Sequence, residues 1–209
     1  MSLSFFKHWL RGPATVGAVA PSSRCLADAM ADGVEAFEAI VEVGAGTGVV
    51  TDSLVRRHPS ARLIVFELGD QLAAELRGRF PHAHVIGGAF HKNIAVLQDL
   101  PAKTIIVSGL PFRSLSSGVV EPTVAAFADL LYADRARRLV QFTYQPRVPF
   151  AAPVGLRWCR IKTVWLNAPP ASIWYLSSKA NWRGGDSSHP GGSPLILQHD
   201  MAQRVRSNR

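Results

Sequence analysis

The stretch that decides the fold is VEVGAGTG, residues 41–48. Together with the preceding Ala and Ile it begins as an apolar run, which is typical of a buried strand in a parallel sheet. Gly44, Gly46 and Gly48 then allow the chain to turn sharply and a ligand to approach the backbone closely. GVVTDSLVRRH (48–58) follows and predicts a helix, whose N-terminus would face that turn. The stretch therefore predicts a strand, a ligand-binding turn and a helix.

Strands and helices alternate along most of the chain. The predicted strands are AIVEVGAG (39–46), ARLIVFEL (61–68), AHVIGG (83–88), KTIIVSGL (103–110) and RARRLVQFTY (135–144), and the predicted helices cover about 23–32, 48–58, 70–80 and 121–133. Ser22 and Ser23 are placed to cap the helix at 23–32, and Pro122 would lie in the first turn of the helix at 121–133. This alternation predicts an α/β fold with a doubly wound, mostly parallel sheet.

Two segments near the C-terminal end have a different composition. LRWCRIKTVWLN (156–167) and ASIWYLSS (171–178) are rich in β-branched and aromatic residues, with Pro169 and Pro170 between them. They predict a closing antiparallel pair of strands. Residues 183–194 are mostly Gly, Ser, Pro and Asp, which is typical of a loose segment.

Composition places limits on the class of protein. The 209 residues, 47% of them hydrophobic, suffice for one well-buried α/β domain. No apolar run approaches the roughly 18 residues of a membrane span, and the N-terminus lacks a secretory pattern. Cys25 and Cys159 are the only cysteines, which favours a reducing compartment and neither a metal site nor a disulfide framework. We expect a cytoplasmic protein.

The net charge of +8 is concentrated at the two ends of the chain. Residues 31–156 carry 12 basic and 12 acidic residues, whereas residues 1–30 give 3 − 1 = +2 and residues 157–209 give 8 − 2 = +6. A neutral body with basic ends favours an anionic partner surface, either nucleic acid or acidic lipid. Solubility alone is the plainer interpretation.

The opening residues, MSLSFFKHWLR (1–11), predict an amphipathic helix. Its apolar arc contains Leu3, Phe5, Phe6, Trp9 and Leu10, and the opposite arc contains Ser4, Lys7, His8 and Arg11. Gly12 and Pro13 end the pattern. Such a helix either packs on its own core or lies on a membrane surface, and amphipathicity alone leaves both open.

The ligand of the glycine turn is not predicted to be a dinucleotide. The spacing is G-x-G-x-G rather than G-x-G-x-x-G. Glu42 precedes the glycines within the strand, and Glu67 ends the second strand, where it can accept bonds from both ribose hydroxyls. The pattern EVGAGTG, with this second acid, resembles the class I S-adenosylmethionine-dependent methyltransferases over about residues 40–144. A strand-to-helix turn with a chance acid is the alternative.

The resemblance implies a cofactor site for S-adenosyl-L-methionine, with S-adenosyl-L-homocysteine as product. It assigns to that site Glu42, Gly44, Ala45, Gly46, Gly48, Glu67, Leu68, Ala89, Phe90 and Ser108. In this superfamily the third strand often ends in an acid that binds adenine. Here GGAF (87–90) has Ala89 at that place, so backbone groups and Phe90 are expected to hold the adenine.

SGLPF (108–112) follows the fourth strand and resembles the N-L-P-Y/F motif of the ribosomal RNA adenine dimethylases. In those enzymes the Asn amide and a backbone carbonyl hold a planar amino group while the aromatic ring stacks on the base. Gly109 occupies the Asn position here, so the amide acceptor is missing. The sizeable helical domain that follows the sheet in those enzymes is also not predicted here.

An alkyl amine makes different demands on a site. Once deprotonated it needs in-line placement about 3 Å from the methyl carbon, and aromatic faces tolerate the methylated ammonium. Phe112 and Tyr144 are the candidate catalytic aromatics, and Arg113 and Arg147 could hold a phosphate. The alternatives are that Phe112 belongs to the core and that the arginines are solvated. No general base is identified, although His91 after the third strand is a candidate.

Most of the chain, up to about residue 179, resembles the bacterial phospholipid N-methyltransferases. The matching segments are FFKHWLRGPATVGAVAPSSR (5–24), VEVGAGTG, SGLPF, QFTYQP (141–146) and VWLNAPPASIW (164–174). The resemblance implies stepwise methylation of phosphatidylethanolamine, through its monomethyl and dimethyl forms, to phosphatidylcholine. It also implies that the N-terminal helix binds membrane and that VGAVAPSS (16–23) folds over the cofactor.

This resemblance divides the chain into three parts. Residues 1–33 would form the membrane-binding helix and the cofactor-covering segment, 34–180 the methyltransferase domain, and 181–209 a basic flexible tail. The predicted membrane-binding residues are Leu3, Phe5, Phe6, Lys7, Trp9, Leu10 and Arg11. We expect a peripheral protein on the inner face of the cell membrane, bound to anionic phospholipid and not to nucleic acid.

Two other functions remain open on the sequence. An RNA adenine N6-methyltransferase would have the same fold, but Gly109 opposes it. A non-catalytic lipid-surface or cofactor-binding protein is opposed by the intact glycine motif together with Glu67.

Overall fold

A computed structural model describes residues 21–32, 34, 37–144 and 146–181. The predicted N-terminal helix over 1–11 lies outside the described residues, as does nearly all of the predicted tail. The helices are α1 (Pro21–Ala31), α2 (Val49–Arg57), α3 (Asp70–Arg79) and α4 (Ser117–Ala133), and the strands are β1 (Ala39–Val43), β2 (Arg62–Glu67), β3 (His84–Gly87), β4 (Thr104–Ser108), β5 (Arg138–Thr143), β6 (Leu156–Val164) and β7 (Ala171–Ser178). None of the described helices has the length and apolar composition needed to cross a bilayer.

The described strands form one seven-stranded sheet in the order β3-β2-β1-β4-β5-β7-β6. Strands β1 to β5 pair in parallel, and β7 pairs antiparallel with both β5 and β6. The predicted fold class, including the antiparallel strand near the C-terminal end, is confirmed. The strand order reverses between β1 and β4, and in such sheets ligands bind outside the carboxyl ends of the strands at that point.

Strands β1 and β4 are buried along their whole length, because helices pack apolar side chains on both faces of the sheet. On one face, α1, α2 and α3 pack through residues such as Met30, Leu54 and Leu76. On the other face, α4 packs through Phe127 and Leu131. The β-branched and aliphatic composition of these strands thus agrees with burial from both sides.

Two helix boundaries differ from the sequence prediction. Helix α1 begins at Pro21, a residue whose fixed φ suits the first helical position, so Ser22 and Ser23 lie within the helix and do not precede it. Helix α4 begins at Ser117, so Pro122 lies in its second turn rather than its first. The helix therefore lacks the hydrogen bond that residue 122 would otherwise donate to the preceding turn.

Charged and polar groups from α2 and β6 contact the end of α1. Asp28 accepts a hydrogen bond from the Ser53 hydroxyl of α2 at 2.7 Å, and this bond is the main cause that lowers the pKa of Asp28. Asp32 pairs with Arg57 of α2 and with Lys162 of β6. Pairs this exposed contribute little stability, so the packing of α1 on the sheet depends mainly on its buried apolar side chains such as Met30.

Candidate active site

The turn between β1 and α2 has a backbone that only glycine adopts easily. Gly44, Gly46 and Gly48 have φ values of 78°, 55° and 78°. A Cβ at Gly44 would also lie 2.7 Å from Cδ2 of Leu110, so the leucine side chain would have to move. The Gly44 amide donates to the carbonyl of Phe66 at 2.8 Å, which fixes the turn against the end of β2.

Glu67, the last residue of β2, joins two turns at the carboxyl edge of the sheet. Its Oε2 accepts a hydrogen bond from the Gly46 amide at 2.7 Å, and its Oε1 accepts one from the Gly69 amide at 2.8 Å. The side chain is buried. Because an ionised carboxylate offers about four lone-pair sites, both oxygens retain capacity for the hydroxyls of a ribose.

Glu42 is a second buried acid, located in β1 just before the glycine turn. Burial raises its pKa to about 8, Thr51 opposes the rise, and the charge of Glu67 adds to it. Within the described part of the chain, its Oε2 has no hydrogen-bond partner. Glu42 is therefore largely protonated at neutral pH, and one of its oxygens is buried without a hydrogen-bond partner in the described part of the chain.

We expect the Glu42→Gln variant to have a flatter pH dependence of stability. Since the pKa rises from 4.5 in the unfolded chain to about 8 in the folded one, the folded state binds the extra proton. The stability that protonated Glu42 gives the folded state is fully present below pH 4.5 and is lost as the pH rises toward 8. Glutamine cannot ionise, so at pH 8 the free energy of unfolding of the variant should exceed that of the parent by at least about 1 kcal/mol.

Urea unfolding of both proteins at pH 5 and pH 8 measures this difference. The stability gap between variant and parent should widen from the lower to the higher pH. A gap that is the same at both values would contradict a raised pKa for Glu42.

The carboxyl end of β3 contributes residues that were predicted to hold an adenine. The Ala89 carbonyl accepts a hydrogen bond from Nδ2 of Asn93 at 2.8 Å. Phe90 is buried, and its ring contacts those of Phe66 and Phe127, with centroids 5.1 and 5.0 Å away. Leu68, directly after Glu67, is largely exposed at the same edge. Phe90 thus has a packing role in the structure, and the adenine contacts stay a prediction.

The SGLPF segment lies directly beside the glycine turn. The Gly109 amide donates to the carbonyl of Val43 at 2.9 Å, and a Cβ on Gly109 would lie 2.7 Å from the carbonyl oxygen of Gly44. This contact leaves no space for a side chain and gives a physical reason for glycine where the resembling motif has Asn. Ser108 is buried, and its hydroxyl accepts a bond from the Leu110 amide at 3.3 Å.

The two candidate catalytic aromatics have different environments. Phe112 is buried, with its ring centroid 4.7 Å from that of Phe150 and 6.1 Å from that of Phe127. Tyr144 directly follows β5 and is 37% exposed, with its ring edge-on to Phe142. The structure therefore places Tyr144 at the open carboxyl edge and Phe112 in an aromatic cluster beneath it. Which of them faces a substrate stays a prediction.

The predicted phosphate-binding arginines follow neighbouring strands. Arg113 comes after β4 and Arg147 after β5, and both are exposed. Their strands pair in parallel, so both arginines belong to the carboxyl edge. His91, the candidate base, has its Nδ1 3.3 Å from the Thr123 hydroxyl of α4.

Gln141 is a site residue that the sequence analysis did not select. It is buried in β5 opposite Ser108, and its Nε2 donates to the carbonyls of Leu110 and Phe142 at 3.0 and 3.1 Å. Its Oε1 has no partner among the described residues. The sequence did contain a signal for Gln141, namely a single amide in the otherwise apolar centre of RLVQFT. A buried polar side chain usually has a specific hydrogen-bond partner, so such a residue is a candidate for a structural or binding role.

These elements bring most of the predicted site residues to one edge of the sheet. The glycine turn, Glu67, the segment after β3, SGLPF and Tyr144 follow β1, β2, β3, β4 and β5. No group of three potential metal-ligating side chains occurs in the described ranges.

No family model matches the chain, but two curated proteins are similar to parts of it. The chain is 36% identical over 118 residues to the ornithine lipid N-methyltransferase of Singulisphaera acidiphila, an alignment that covers 53% of this chain and 59% of that protein. It is 30% identical over 95 residues to ribosomal RNA small subunit methyltransferase A of Thermotoga petrophila, covering 44% and 34%. The chain thus spans less than two thirds of the length of either relative.

Solved structures with low sequence identity share the fold. A TehB-like SAM-dependent methyltransferase from Corynebacterium glutamicum has a TM-score of 0.56 at 19% identity, covering 84% of this chain and 97% of that one. An O-methyltransferase from Bacillus cereus, solved in complex with SAH, has a TM-score of 0.55 at 13% identity, covering 84% and 87%. The chain has the class I SAM-dependent methyltransferase fold.

Proposed function

We propose that this chain is an S-adenosylmethionine-dependent N-methyltransferase that acts on the primary amine of a membrane lipid, with phosphatidylethanolamine as the first candidate. The fold and the named activities of the two curated relatives support methyl transfer. The sequence resemblance to phospholipid N-methyltransferases supports the lipid.

The residues present suit the proposed cofactor. The glycine turn lets a ligand approach its backbone, and both oxygens of Glu67 retain lone pairs for ribose hydroxyls. Glu42, whose Oε2 has no partner among the described residues, lies in the strand that leads into this turn, and a cationic ligand bound beside it would favour the ionised form of its carboxyl group. Bound S-adenosylmethionine would supply an electrophilic methyl group on a sulfonium.

Gly109 is the observation that favours an alkyl amine over an adenine. The adenine enzymes that SGLPF resembles use an Asn amide at this position, and here the Gly44 carbonyl excludes any side chain. An alkyl amine carries its lone pair on a tetrahedral nitrogen and does not need an amide to draw that lone pair out of a ring. The amine must first lose a proton. Desolvation favours this loss, because it lowers the pKa of an alkylammonium from about 10.4. The neutral amine must then be placed precisely beside the methyl group.

Groups at the same edge suit the rest of a phosphatidylethanolamine headgroup. Tyr144 is 37% exposed, and the face of an aromatic ring attracts a methylated ammonium. The guanidinium groups of Arg113 and Arg147 can each bind a phosphate through two hydrogen bonds. We propose that Tyr144 contacts the amine and that these arginines bind the phosphate.

The names of the two curated relatives suggest two other substrates, and each should be tested separately. The name of the first relative favours an ornithine lipid, which also offers a primary alkyl amine but has no phosphodiester. The name of the second favours ribosomal RNA. Of the two lipid candidates, only phosphatidylethanolamine gives Arg113 and Arg147 a phosphate to bind.

Methyl transfer from labelled S-adenosylmethionine separates these candidates. We expect the full chain to label phosphatidylethanolamine in vesicles and to leave RNA unlabelled. The Arg113→Ala and Arg147→Ala double variant should lose most of its activity on phosphatidylethanolamine. Labelling of ornithine lipid, unaffected by that double variant, would replace the substrate, and labelling of RNA with unlabelled vesicles would reverse the proposal.

The proposed substrate also determines where the protein works. We propose a peripheral protein on the cytoplasmic face of the membrane, bound to anionic lipid. Residues 1–11 would contribute an interfacial helix, and residues 16–23 would fold over the cofactor. The basic segment 181–209 would remain at the lipid surface.

A further inference from the structure

The turn between β6 and β7 exposes two large apolar side chains. Trp165 is 77% exposed and Leu166 is 81% exposed, and they are adjacent in the chain. They belong to the segment VWLNAPPASIW, to which the candidate active site assigns no role. Two large apolar side chains at the tip of a turn are unfavourable in water. Exposed apolar surface of this kind often marks a site that contacts a partner or a membrane.

This turn has an internal structure that presents those two side chains outward. The next residue, Asn167, is buried, and its Nδ2 donates to the Pro169 carbonyl at 2.6 Å. The Asn167 amide also donates to the Val164 carbonyl at 3.4 Å. The polar side chain is thus inside and the apolar side chains are outside, the reverse of the usual distribution.

Strand register places the turn at the same edge of the sheet as the candidate active site. Val164, at the end of β6, pairs with Ala171, at the start of β7. The next residue of β7, Ser172, pairs with Thr143 at the carboxyl end of β5. Tyr144 directly follows Thr143, so a flat surface that contacts the tip of the turn would also lie across the entrance to the site.

The charge of this region indicates the chemistry of that surface. No Asp or Glu occurs between Asp134 and Asp186. Strand β6 contains Arg160 and Lys162, of which Lys162 pairs with Asp32. The exposed Arg113 and Arg147 follow β4 and β5 at the same edge as the turn. Arg160 is exposed. A Trp and a Leu at an edge that also carries exposed arginines fit the interface of an anionic bilayer, where tryptophan is enriched and basic residues meet acidic headgroups.

We infer that the β6–β7 turn is a membrane contact, in which Trp165 and Leu166 enter the headgroup region of an anionic bilayer. This contact holds the carboxyl edge of the sheet against the lipid, so that a headgroup reaches the site without leaving the membrane. The inference rests on the proposed function for its substrate, but it concerns a surface that can be tested without catalysis.

Flotation of the full chain with vesicles of phosphatidylethanolamine and phosphatidylglycerol tests this contact. The Trp165→Ser, Leu166→Ser double variant should reduce the vesicle-bound fraction at least fivefold, and Trp165→Tyr should retain most of it. The matched control is Val154→Ser. Val154 is 91% exposed but precedes β6, whose first residue pairs with the last residue of β7, so it lies at the opposite edge. This control should bind vesicles as the parent does.

Melting temperature and affinity for S-adenosyl-L-homocysteine should be unchanged in all three variants, because the substituted side chains are exposed. Equal vesicle binding by the double variant and the parent would overturn the inference, as would a parent chain that does not bind vesicles. If the turn carries vesicle binding but no lipid is methylated, the membrane contact stands and the proposed substrate fails. If lipid is methylated with binding independent of the turn, the inference alone fails.

Discussion

Replacement of Glu67 by alanine is expected to weaken binding of S-adenosyl-L-homocysteine at least tenfold. The carboxylate accepts hydrogen bonds from the amides of Gly46 and Gly69, and we propose that it also accepts from the ribose. Hydrogen bonds to a charged group contribute about 1.5–3 kcal/mol each, and each 1.4 kcal/mol corresponds to about tenfold in affinity. Calorimetric titration of the purified chain measures the change directly.

Two further variants separate loss of the ligand contact from loss of charge or fold. Glu75→Ala, on the exposed side of α3, removes the same charge and should leave the affinity unchanged. Glu67→Gln keeps the shape, but its amide nitrogen cannot accept a bond from either glycine, so an intermediate affinity is expected. If Glu67→Ala binds the ligand as the parent does, Glu67 is not part of the cofactor site.

Glu67→Ala should also be less stable without any ligand, because it leaves two amide donors without their present acceptor. A buried donor without a partner costs about 1–3 kcal/mol. Stability and affinity must therefore be measured on the same preparation, at a temperature well below the melting transition.

The fold could be predicted from the sequence because local patterns and topology agree. The strand stretches AIVEV and TIIVS are mostly apolar, a composition that predicts cover on both faces, and helices alternate with them. Glu67 was identifiable for a similar reason, since the end of the second strand in a parallel sheet must lie beside the end of the first. The position of Pro122 was not predictable, because residues 117–121 extend α4 before the proline despite the hydrogen bond that is lost.

Burial within the site could not be predicted, because it depends on which elements meet. Phe112 and Tyr144 are equally plausible as amine-facing aromatics in sequence, but Phe112 packs between Phe127 and Phe150, a residue from a distant loop. The role of Gln141 depends on the carbonyl of Leu110, which is 31 positions away in the chain. The exposure of Trp165 likewise follows from the inward position of Asn167.

Gly109→Ala is the second substitution for which we expect a large effect. The new Cβ would lie 2.7 Å from the Gly44 carbonyl oxygen, a contact between backbone and side chain that can be relieved only by moving one of the two turns. Gly44 is held by its bond to Phe66, and Gly109 by its bond to Val43. We expect a loss of about 1–3 kcal/mol in stability and at least a tenfold loss of affinity for S-adenosyl-L-homocysteine.

The matched control is Gly118→Ala in helix α4, where a Cβ would meet no atom within 4 Å. Alanine has the higher helix propensity, so this variant should be unchanged or more stable by up to about 1 kcal/mol. Urea unfolding and titration with S-adenosyl-L-homocysteine, carried out on both variants, compare the same chemical change at two glycines. Equal behaviour of the two would mean that the turns at Gly44 and Gly109 adjust without strain.

Gly109→Asn extends this test from structure to substrate choice. One possibility is that Gly109 differs from the Asn of the resembling motif only by lacking the side-chain amide. In that case Gly109→Asn would restore the amide and move activity toward the adenine substrates of the enzymes that carry this motif. The steric argument gives the opposite expectation, because asparagine brings the same Cβ to the Gly44 carbonyl before its amide can reach any substrate. We therefore expect Gly109→Asn to lose lipid methylation and gain none on RNA. A variant that methylates RNA would show that the backbone at this position accommodates a side chain, and the choice of an alkyl amine would need another cause.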